Sequence, residues 1–380
     1  MIVTNIQLKN WKNFGDVSAV CGKRVFIIGP NASGKSNFLD ALRFLRDVVQ
    51  DGLNKAVSSR GGMRAIRNIC ARSPSDVSII ISLDDMWEYG LALKADNKNE
   101  PKISKEYVDF HGNDNVTRIL ERPDLDDIRD DMRLTQTALQ QVNVNKRFRE
   151  IADFVSSIQY RHILPQLVRD PLNFSPVPSR NDPYGRDFIS QIWNTPQKTR
   201  EARLKKINEA LIIAVPQLSN LSVEQDKTTG LPHLIAKYDH WRLNAGYQNE
   251  SSFSDGTLRL LTLLWSMFSA EGPLLLEEPE LSLHEDIIKQ LPSVFTRLDR
   301  IRKKTVRQIF ITTHSEAMLS DPGIGANEVL RLESGSEGTN IRIADMQDIH
   351  LMEEGLSAAE VFIPKTRPAM IEKLSLFSSL

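Results

Sequence analysis

The most constraining feature of this chain is the octapeptide Gly29–Ser36, GPNASGKS, which matches G-x-x-x-x-G-K-[ST] at every fixed position. Its setting agrees with the motif. Arg24–Ile28 (RVFII) reads as a short buried strand, and beyond Ser36 the residues Phe38, Leu42, Leu45 and Val49 recur on one helical face. A strand, a glycine-bearing loop and a helix allow successive backbone N–H groups to wrap a phosphate, with the helix dipole adding to the attraction. Gly29, Asn31, Ala32, Ser33, Gly34, Lys35, Ser36 and Asn37 are therefore the candidate phosphate-binding residues. Lys35 is predicted to reach the β/γ-phosphates and the Ser36 hydroxyl to coordinate Mg²⁺. The fold class this predicts is α/β.

Composition narrows the alternatives. Of 380 residues, 41% are hydrophobic and 26% charged, which is a globular balance. The formal net charge is −1, so any nucleic-acid binding must use a local patch. Cys21 and Cys70 are the only cysteines, which excludes a disulfide framework and a four-cysteine zinc site. The opening MIVTNIQLKNWKNF lacks the apolar core of a signal peptide. The most apolar run, Leu260–Phe268, is far short of the roughly 18 residues that span a bilayer. A soluble, cytoplasmic protein without a membrane partner is expected.

Along the chain, residues 2–8 alternate as an edge strand would, and 51–75 read as irregular. Four strand-like runs between 77 and 122 predict an antiparallel β lobe. Residues 124–157 read as polar helix, 158–164 as strand, 170–187 as loop and 197–215 as a basic amphipathic helix. A second β segment covers 220–238. The pattern then turns α/β: helix 256–270, strand 273–277, helix 283–302, strand 308–312. In the second of these helices Ile287, Leu291, Val294, Leu298 and Ile301 form an apolar stripe. The implied division is an N-terminal lobe at 1–122, an inserted helical lobe at 123–215 and a C-terminal lobe at 216–380.

A second chemical feature is the segment 273–284, PLLLEEPELSLH, an apolar strand ending in paired carboxylates. In a phosphate-loop enzyme Glu277 would hold Mg²⁺ through water and Glu278 would orient the attacking water as general base. Two adjacent carboxylates at a buried strand end are costly unless a cation neutralises them. A solvated acidic turn at a helix start is the alternative, since the helix dipole welcomes Glu there.

Two further segments complete an ordered set: SFSDGTLRL at 252–260 and IFITTHS at 309–315. With the phosphate loop, LLLEEPE and the opening LKNWKNFGD, the chain resembles the ABC-type ATPases, and more narrowly the SMC/RecF/OLD lineage. The resemblance covers residues 1–50 and 250–335 and only loosely the middle. It implies an ABC-type ATPase head that takes ATP and Mg²⁺. It further implies that Ser254, Asp255, Gly256 and Thr257 form the signature, which meets the γ-phosphate bound to the opposite subunit of a head-to-head homodimer. His314 would be the γ-phosphate-sensing switch histidine, and Glu280 and Ser282 would lie in the loop that crosses the dimer interface. A metal-linking Gln is expected after the inserted lobe, where Gln159 and Gln166 both stand; Gln159 is favoured.

The chain departs from the lineage in carrying Glu277 where Asp is usual, in lacking long heptads, and in having too short a stretch after His314 for a TOPRIM domain. Glu353-Glu354-Gly355 is expected to be a surface turn rather than the start of one. The expected function is therefore Mg²⁺-dependent ATP hydrolysis that controls a separately encoded effector, a nuclease with a TOPRIM-like or another toxic domain, in bacterial anti-phage defence. The alternative is a RecF-like ATP-dependent DNA clamp in repair. The basic runs at 198–206 and Arg297–Arg307 keep nucleic acid open as a partner, with solvated helix surface as the plainer reading.

Overall fold

A computed structural model of the chain describes residues 1–72, 75–112, 115–170, 182–239, 246–269, 272–301 and 307–367, with 269 and 299–301 described by their backbone alone. The strands along the chain are β1 (Val3–Lys9), β2 (Asp16–Val20), β3 (Arg24–Ile28), β4 (Val77–Leu83), β5 (Trp87–Ala95), β6 (Pro101–His111) and β7 (Val116–Arg122). They continue as β8 (Gln159–Arg161), β9 (Leu218–Gln225), β10 (Pro232–Tyr238), β11 (Tyr247–Asn249) and β12 (Leu274–Glu277). The last are β13 (Ile309–Thr312), β14 (Val329–Gly335) and β15 (Gly338–Arg342). The chain divides into two compact units. One comprises Met1–Gln159, Glu271–Leu275 and Arg307–Leu380, the other Tyr160–Ala270 and Leu276–Val306.

The first unit holds the antiparallel lobe, ordered β2-β1-β4-β5-β6-β7. The four strands expected between 77 and 122 are all present. β4 shows why they were legible: its residues alternate buried and half-buried along VSIIISL, the period of a one-faced strand. β1 is not the expected edge strand. It pairs with β2 on one side and β4 on the other. The hairpin to β2 closes through Asn10 N–H to Gly15 O (2.6 Å), and DVSAV is too short to announce itself by period.

A second, mixed sheet runs β15-β14-β3-β13-β12-β8. β3 lies parallel to both β13 and β14, and β15 returns antiparallel to β14. Val25, Phe26, Ile27 and Ile28 are each at most 1% exposed, as a strand covered on both faces requires. The helix Lys35–Asp51 that follows buries Phe38, Leu42, Leu45 and Val48, the last in place of the expected Val49.

The expected irregular stretch 51–75 in fact contains the helices Leu53–Ser58 and Met63–Ile66, which bury Leu53, Ala56, Val57, Met63 and Ile66. Helices of six and four residues complete too few turns to display a 3.6-residue period. The reverse holds at 124–157. Regular α-helix is limited to Leu125–Arg129 and Arg149–Ser156, with 3₁₀ turns at Asp131–Thr135 and Asn145–Arg147.

A buried polar network replaces the missing helical pairing in that stretch. Arg122 donates to Glu106 (3.0 Å), to both oxygens of Asp127 (2.9 Å each) and to the carbonyls of Arg133 (2.9 Å) and Gln136 (2.8 Å). Glu106, fully buried, also accepts from the backbone of Ala138 and Leu139 and from the Tyr89 hydroxyl. The carbonyls of Arg133 and Gln136 and the N–H groups of Ala138 and Leu139 are thus satisfied by side chains, beside the backbone pairs of the turns. Burial pushes the Glu106 carboxyl up, whereas the hydrogen bonds from Arg122 hold Asp127 down at about 2.

The second unit contains the three-stranded sheet β11-β10-β9 and the helices Phe188–Asn194, Gln197–Ala214, Asp255–Ser269 and Glu285–Ile301. The helix Gln197–Ala214 buries Leu204, Ile207 and Leu211 at helical spacing. In Glu285–Ile301 the buried side chains are Ile288, Leu291, Pro292 and Phe295, while Ile287, Val294 and Leu298 of the expected stripe are half-buried. The buried face is rotated by about one residue from the expected stripe, and the side chain of Ile301 lies outside the described residues. Residues 171–181 of the expected loop at 170–187 lie outside the described residues. Among the described residues no helix is long and apolar enough to cross a membrane. The turn at Glu353–Gly355 is on the surface, ending the helix Met346–Glu353 with Gly355 at φ +104°.

Removing Arg122 would strand two buried carboxylates. Arg122→Ala is expected to cost about 3–5 kcal/mol in urea denaturation of the full chain, the usual penalty for breaking a buried pair. A loss under about 1 kcal/mol would contradict the network's role. Because the Asp127 carboxyl lies near 2 in the fold and close to its ordinary 3.8 when unfolded, its stabilisation is complete above that ordinary value. It fades as pH falls toward 2, and this acid-side loss should shrink in Arg122→Ala.

Candidate functional site

In the first unit, β3 delivers the chain into the phosphate-type loop. Gly29 sits at φ +153° and Gly34 at φ +96°, and Ala32 also takes the left-handed region at φ +63°. A Cβ at Gly29 would stand 2.7 Å from the Leu332 carbonyl, and one at Gly34 2.0 Å from Asn13 Nδ2. Both positions therefore require glycine on steric as well as dihedral grounds. Lys35 is buried and folds back to donate to the carbonyls of Gly29 and Pro30 (3.1 Å each). Asn31, Ala32 and Ser36 are exposed, whereas Ser33 is buried.

The loop is braced from outside. Asn13 Nδ2 donates to the Ser33 carbonyl (3.0 Å), and Thr339 Oγ1 donates to the same oxygen (2.8 Å). Asn37 Nδ2 donates to Asn13 Oδ1 (2.7 Å), and Trp11 Nε1 to the Asn37 carbonyl (2.9 Å). Trp11 packs on Phe44 and Phe14 on Phe38, with ring centroids 5.2 and 6.3 Å apart. The opening segment KNWKNF is thus the clamp of the loop, a role its sequence did not disclose. Asn13 was at least inside a motif; Thr339 carried no signal at all.

His314 and Gln159 belong to the same unit. The parallel register of β13 on β3, Thr312 opposite Ile27, brings His314, exposed, to the C-terminal end of these strands, where Gly29 begins the loop. Gln159 is held in the interior: its N–H donates to the Pro273 carbonyl (2.8 Å) and its Oε1 accepts from Arg307 (2.9 Å). Arg307, expected within a solvated or phosphate-facing basic run, is only 2% exposed and also donates to the Gly272 carbonyl (2.8 Å). Arg302, Lys303 and Lys304 of that run, and the side chain of Arg300, lie outside the described residues.

In the second unit, Ser254 caps the helix Asp255–Ser269 by accepting from Thr257 N–H (3.2 Å). Asp255 is paired with Arg169 (2.6 Å) and accepts from Gln166 Nε2 (3.1 Å), so the second candidate glutamine is committed here. A Cβ on Gly256 would lie 2.7 Å from the Ser282 carbonyl, and Ser282 itself is at φ +62°. Glu277 accepts a hydrogen bond from the Tyr160 hydroxyl. Glu278 stands at φ +43°, a costly conformation for a long side chain, and its carbonyl accepts from Arg259 (3.4 Å). Burial lowers the pKa of Arg259 despite the nearby carboxylates of Glu280, Asp255 and Glu278.

The basic helix at 197–214 uses part of its charge internally. Arg200, Arg203 and Lys206 stand over the rings of Trp193, Trp265 and Phe268 at 4.7, 5.5 and 5.9 Å. The structure therefore gathers Gly29–Asn37, Gln159 and His314 in one unit, and Ser254–Thr257, Glu277 and Glu278 in the other. Asn13, Thr339, Tyr160 and Arg169 are the contributors that sequence reading missed.

The fold is that of SMC head domains. It matches an SMC head bound to the C-winged helix domain of ScpA at a TM-score of 0.55 and 14% identity, over 92% of this chain and 100% of that one. It also matches the head domain with an extended coiled coil bound to the C-terminal domain of ScpA, derived from Pyrococcus furiosus, at 0.50 and 13%, over 93% and 98%. No curated protein matched the chain. Residues 24–320 match the family model described as "AAA domain, putative AbiEii toxin, Type IV TA system". That span holds every motif from β3 through TTHS, and the chain accordingly belongs to this family of AAA ATPases.

Proposed function

We propose that the chain binds ATP with Mg²⁺ and hydrolyses it at composite sites in a head-to-head homodimer, and that this cycle controls a separately encoded effector, a TOPRIM-like nuclease, in anti-phage defence. The observation that carries the nucleotide reading is the loop itself: a buried strand, two sterically obligatory glycines and a lysine folded onto the loop's own carbonyls. The residues suit a magnesium–triphosphate. Glycine at 29 and 34 leaves the loop backbone without a Cβ at those two positions, and Ser36 and Glu277 supply the hydroxyl and carboxylate oxygens that Mg²⁺ prefers. The family's description as an AbiEii-type domain supports the defence setting.

The chemistry is positioning plus charge stabilisation. Lys35 exchanges its carbonyl partners for phosphate oxygens. Glu278 holds the attacking water and takes up its proton. Ser254 and Gly256 present a hydroxyl and N–H groups to the nucleotide of the second copy, and His314 senses the γ-phosphate. Ser36 and Glu277, with Gln159 once released from Arg307, would hold the metal, which when bound would offset the negative charge of the phosphates.

Three outcomes follow. Glu278→Gln should keep ATP binding while kcat falls by at least about 100-fold, the contribution of a general base; near-normal turnover would remove Glu278 from that role. Gly34→Ala, forced onto Asn13, should abolish binding of a fluorescent ATP analogue while the β lobe stays folded by circular dichroism. Ser254→Arg should block ATP-dependent dimerisation in light scattering, and a normal dimer would refute the composite site. For the effector, pull-down of Glu278→Gln with ATP and Mg²⁺ should recover a stoichiometric nuclease-like protein. Recovery with DNA and repair factors instead would replace the defence reading with the clamp.

A further inference from the structure

The segment assigned to the signature carries a difficulty. Asp255 puts a carboxylate beside Ser254, the residue proposed to meet a highly charged triphosphate. Two like charges a few ångströms apart repel, and more strongly at a protein surface than in open water. Something must offset that charge without blocking the approach.

Arg169 does so. Its Nη2 donates to Asp255 Oδ1 (2.6 Å) and to the Phe253 carbonyl (2.9 Å), the residues on either side of Ser254. Gln166, one helical turn earlier in Pro165–Arg169, donates to the other carboxylate oxygen (3.1 Å). Both Asp255 oxygens are therefore occupied from one short helix, and the backbone before Ser254 is tied to the carboxylate after it. Opposite, Gly256 has no room for a Cβ against the Ser282 carbonyl. The Ser254 hydroxyl is left between two fixed points, bonded within its own turn to Thr257 N–H (3.2 Å) and Thr257 Oγ1 (2.8 Å).

We infer that Arg169 is the positioning residue of the signature: it neutralises Asp255 and fixes the direction in which Ser254 faces the nucleotide of the second copy. This rests on the composite-site reading above. Arg169 belongs to the unit that carries the signature and not to the one that carries the loop, so its loss should spare nucleotide binding to the loop and act on the dimer alone.

The test uses the full chain in the Glu278→Gln background, with ATP and Mg²⁺, read by light scattering and by binding of a fluorescent ATP analogue. Arg169→Ala should weaken ATP-driven dimerisation at least 10-fold and leave analogue binding to the monomer unchanged. Arg169→Lys, which keeps the charge but not the fork, should recover part of the loss. Adding Asp255→Asn to Arg169→Ala should recover part as well, because the charge that needed offsetting is gone; a merely structural arginine would show no such rescue. Thermal melts confirm that each variant is folded, and Arg169→Lys stands in if Arg169→Ala is not. If the parent dimerises and Arg169→Ala dimerises equally, or if Asp255→Asn deepens the defect, the inference fails and the composite site survives. If the parent does not dimerise at any ATP concentration, the composite site fails and takes the inference with it.

Discussion

One carbonyl oxygen organises this molecule. Ser33 O accepts from Asn13 and from Thr339, which are themselves hydrogen-bonded to each other (2.7 Å). The loop that carries Ser33 holds Gly29, Ala32 and Gly34 at positive φ, a conformation open to the glycines but strained at Ala32. Each net hydrogen bond contributes only about 1 kcal/mol, so the loop is stable because several act together on a backbone already closed by β3 and the helix Lys35–Asp51. Asn13 comes from the turn between β1 and β2, and Thr339 from β15. The antiparallel lobe and the C-terminal hairpin are in this way structural conditions of the phosphate loop. The charged pairs beside it serve the same end: Lys12 and Arg60 hold Asp40 at 2.6 and 2.8 Å, pinning the clamp segment to the helix. Burial would raise the Asp40 carboxyl, and the two cations bring it below the ordinary range instead.

The second unit applies the same logic to charge. Two of the acidic residues with a proposed role have dedicated polar neighbours: Tyr160 for Glu277, Arg169 and Gln166 for Asp255. A carboxylate withdrawn from water needs such partners, and their geometry fixes the carboxylate before any ligand arrives. The longer Glu at position 277 is compatible with this arrangement because its oxygen reaches the Tyr160 hydroxyl. The positive φ at Glu278 is strain of the kind that surrounding structure must impose, and the Arg259 hydrogen bond to its carbonyl is part of that imposition.

Legibility varied with the kind of force that shapes each segment. The β lobe was readable because β4 has one buried face, which writes a period of two into VSIIISL. β3, buried on both faces, was readable as an apolar run followed by the loop motif. Residues 124–157 misled because their polar composition suits a solvated helix equally well, while their actual order depends on Glu106 and Arg122. β14, as long as β4, escaped because its first two residues are both buried and its last two both exposed, so no strict alternation runs along it; β15 and the helix Ala358–Phe362, of five residues each, are too short to show a period. The run ending at Arg307 misled because composition shows that a residue is charged and not that its charge is buried against Gly272 and Gln159.

Sequence by itself supplied the candidate chemistry: the glycines and lysine of the phosphate loop, the paired carboxylates at the end of an apolar strand, the segment proposed as signature and His314, in an order that points to the family. These are local patterns, set by backbone conformations and side-chain types within a few residues of one another. Only the tertiary structure decided what supports them. Asn13 and Thr339 are separated by 326 positions and Gln166 and Asp255 by 89, and hydrogen bonds over such distances leave no period or motif in the chain. Their partners are chosen by where folding places them, since a polar group withdrawn from water must bond to whatever donor the packed chain brings within about 3 Å.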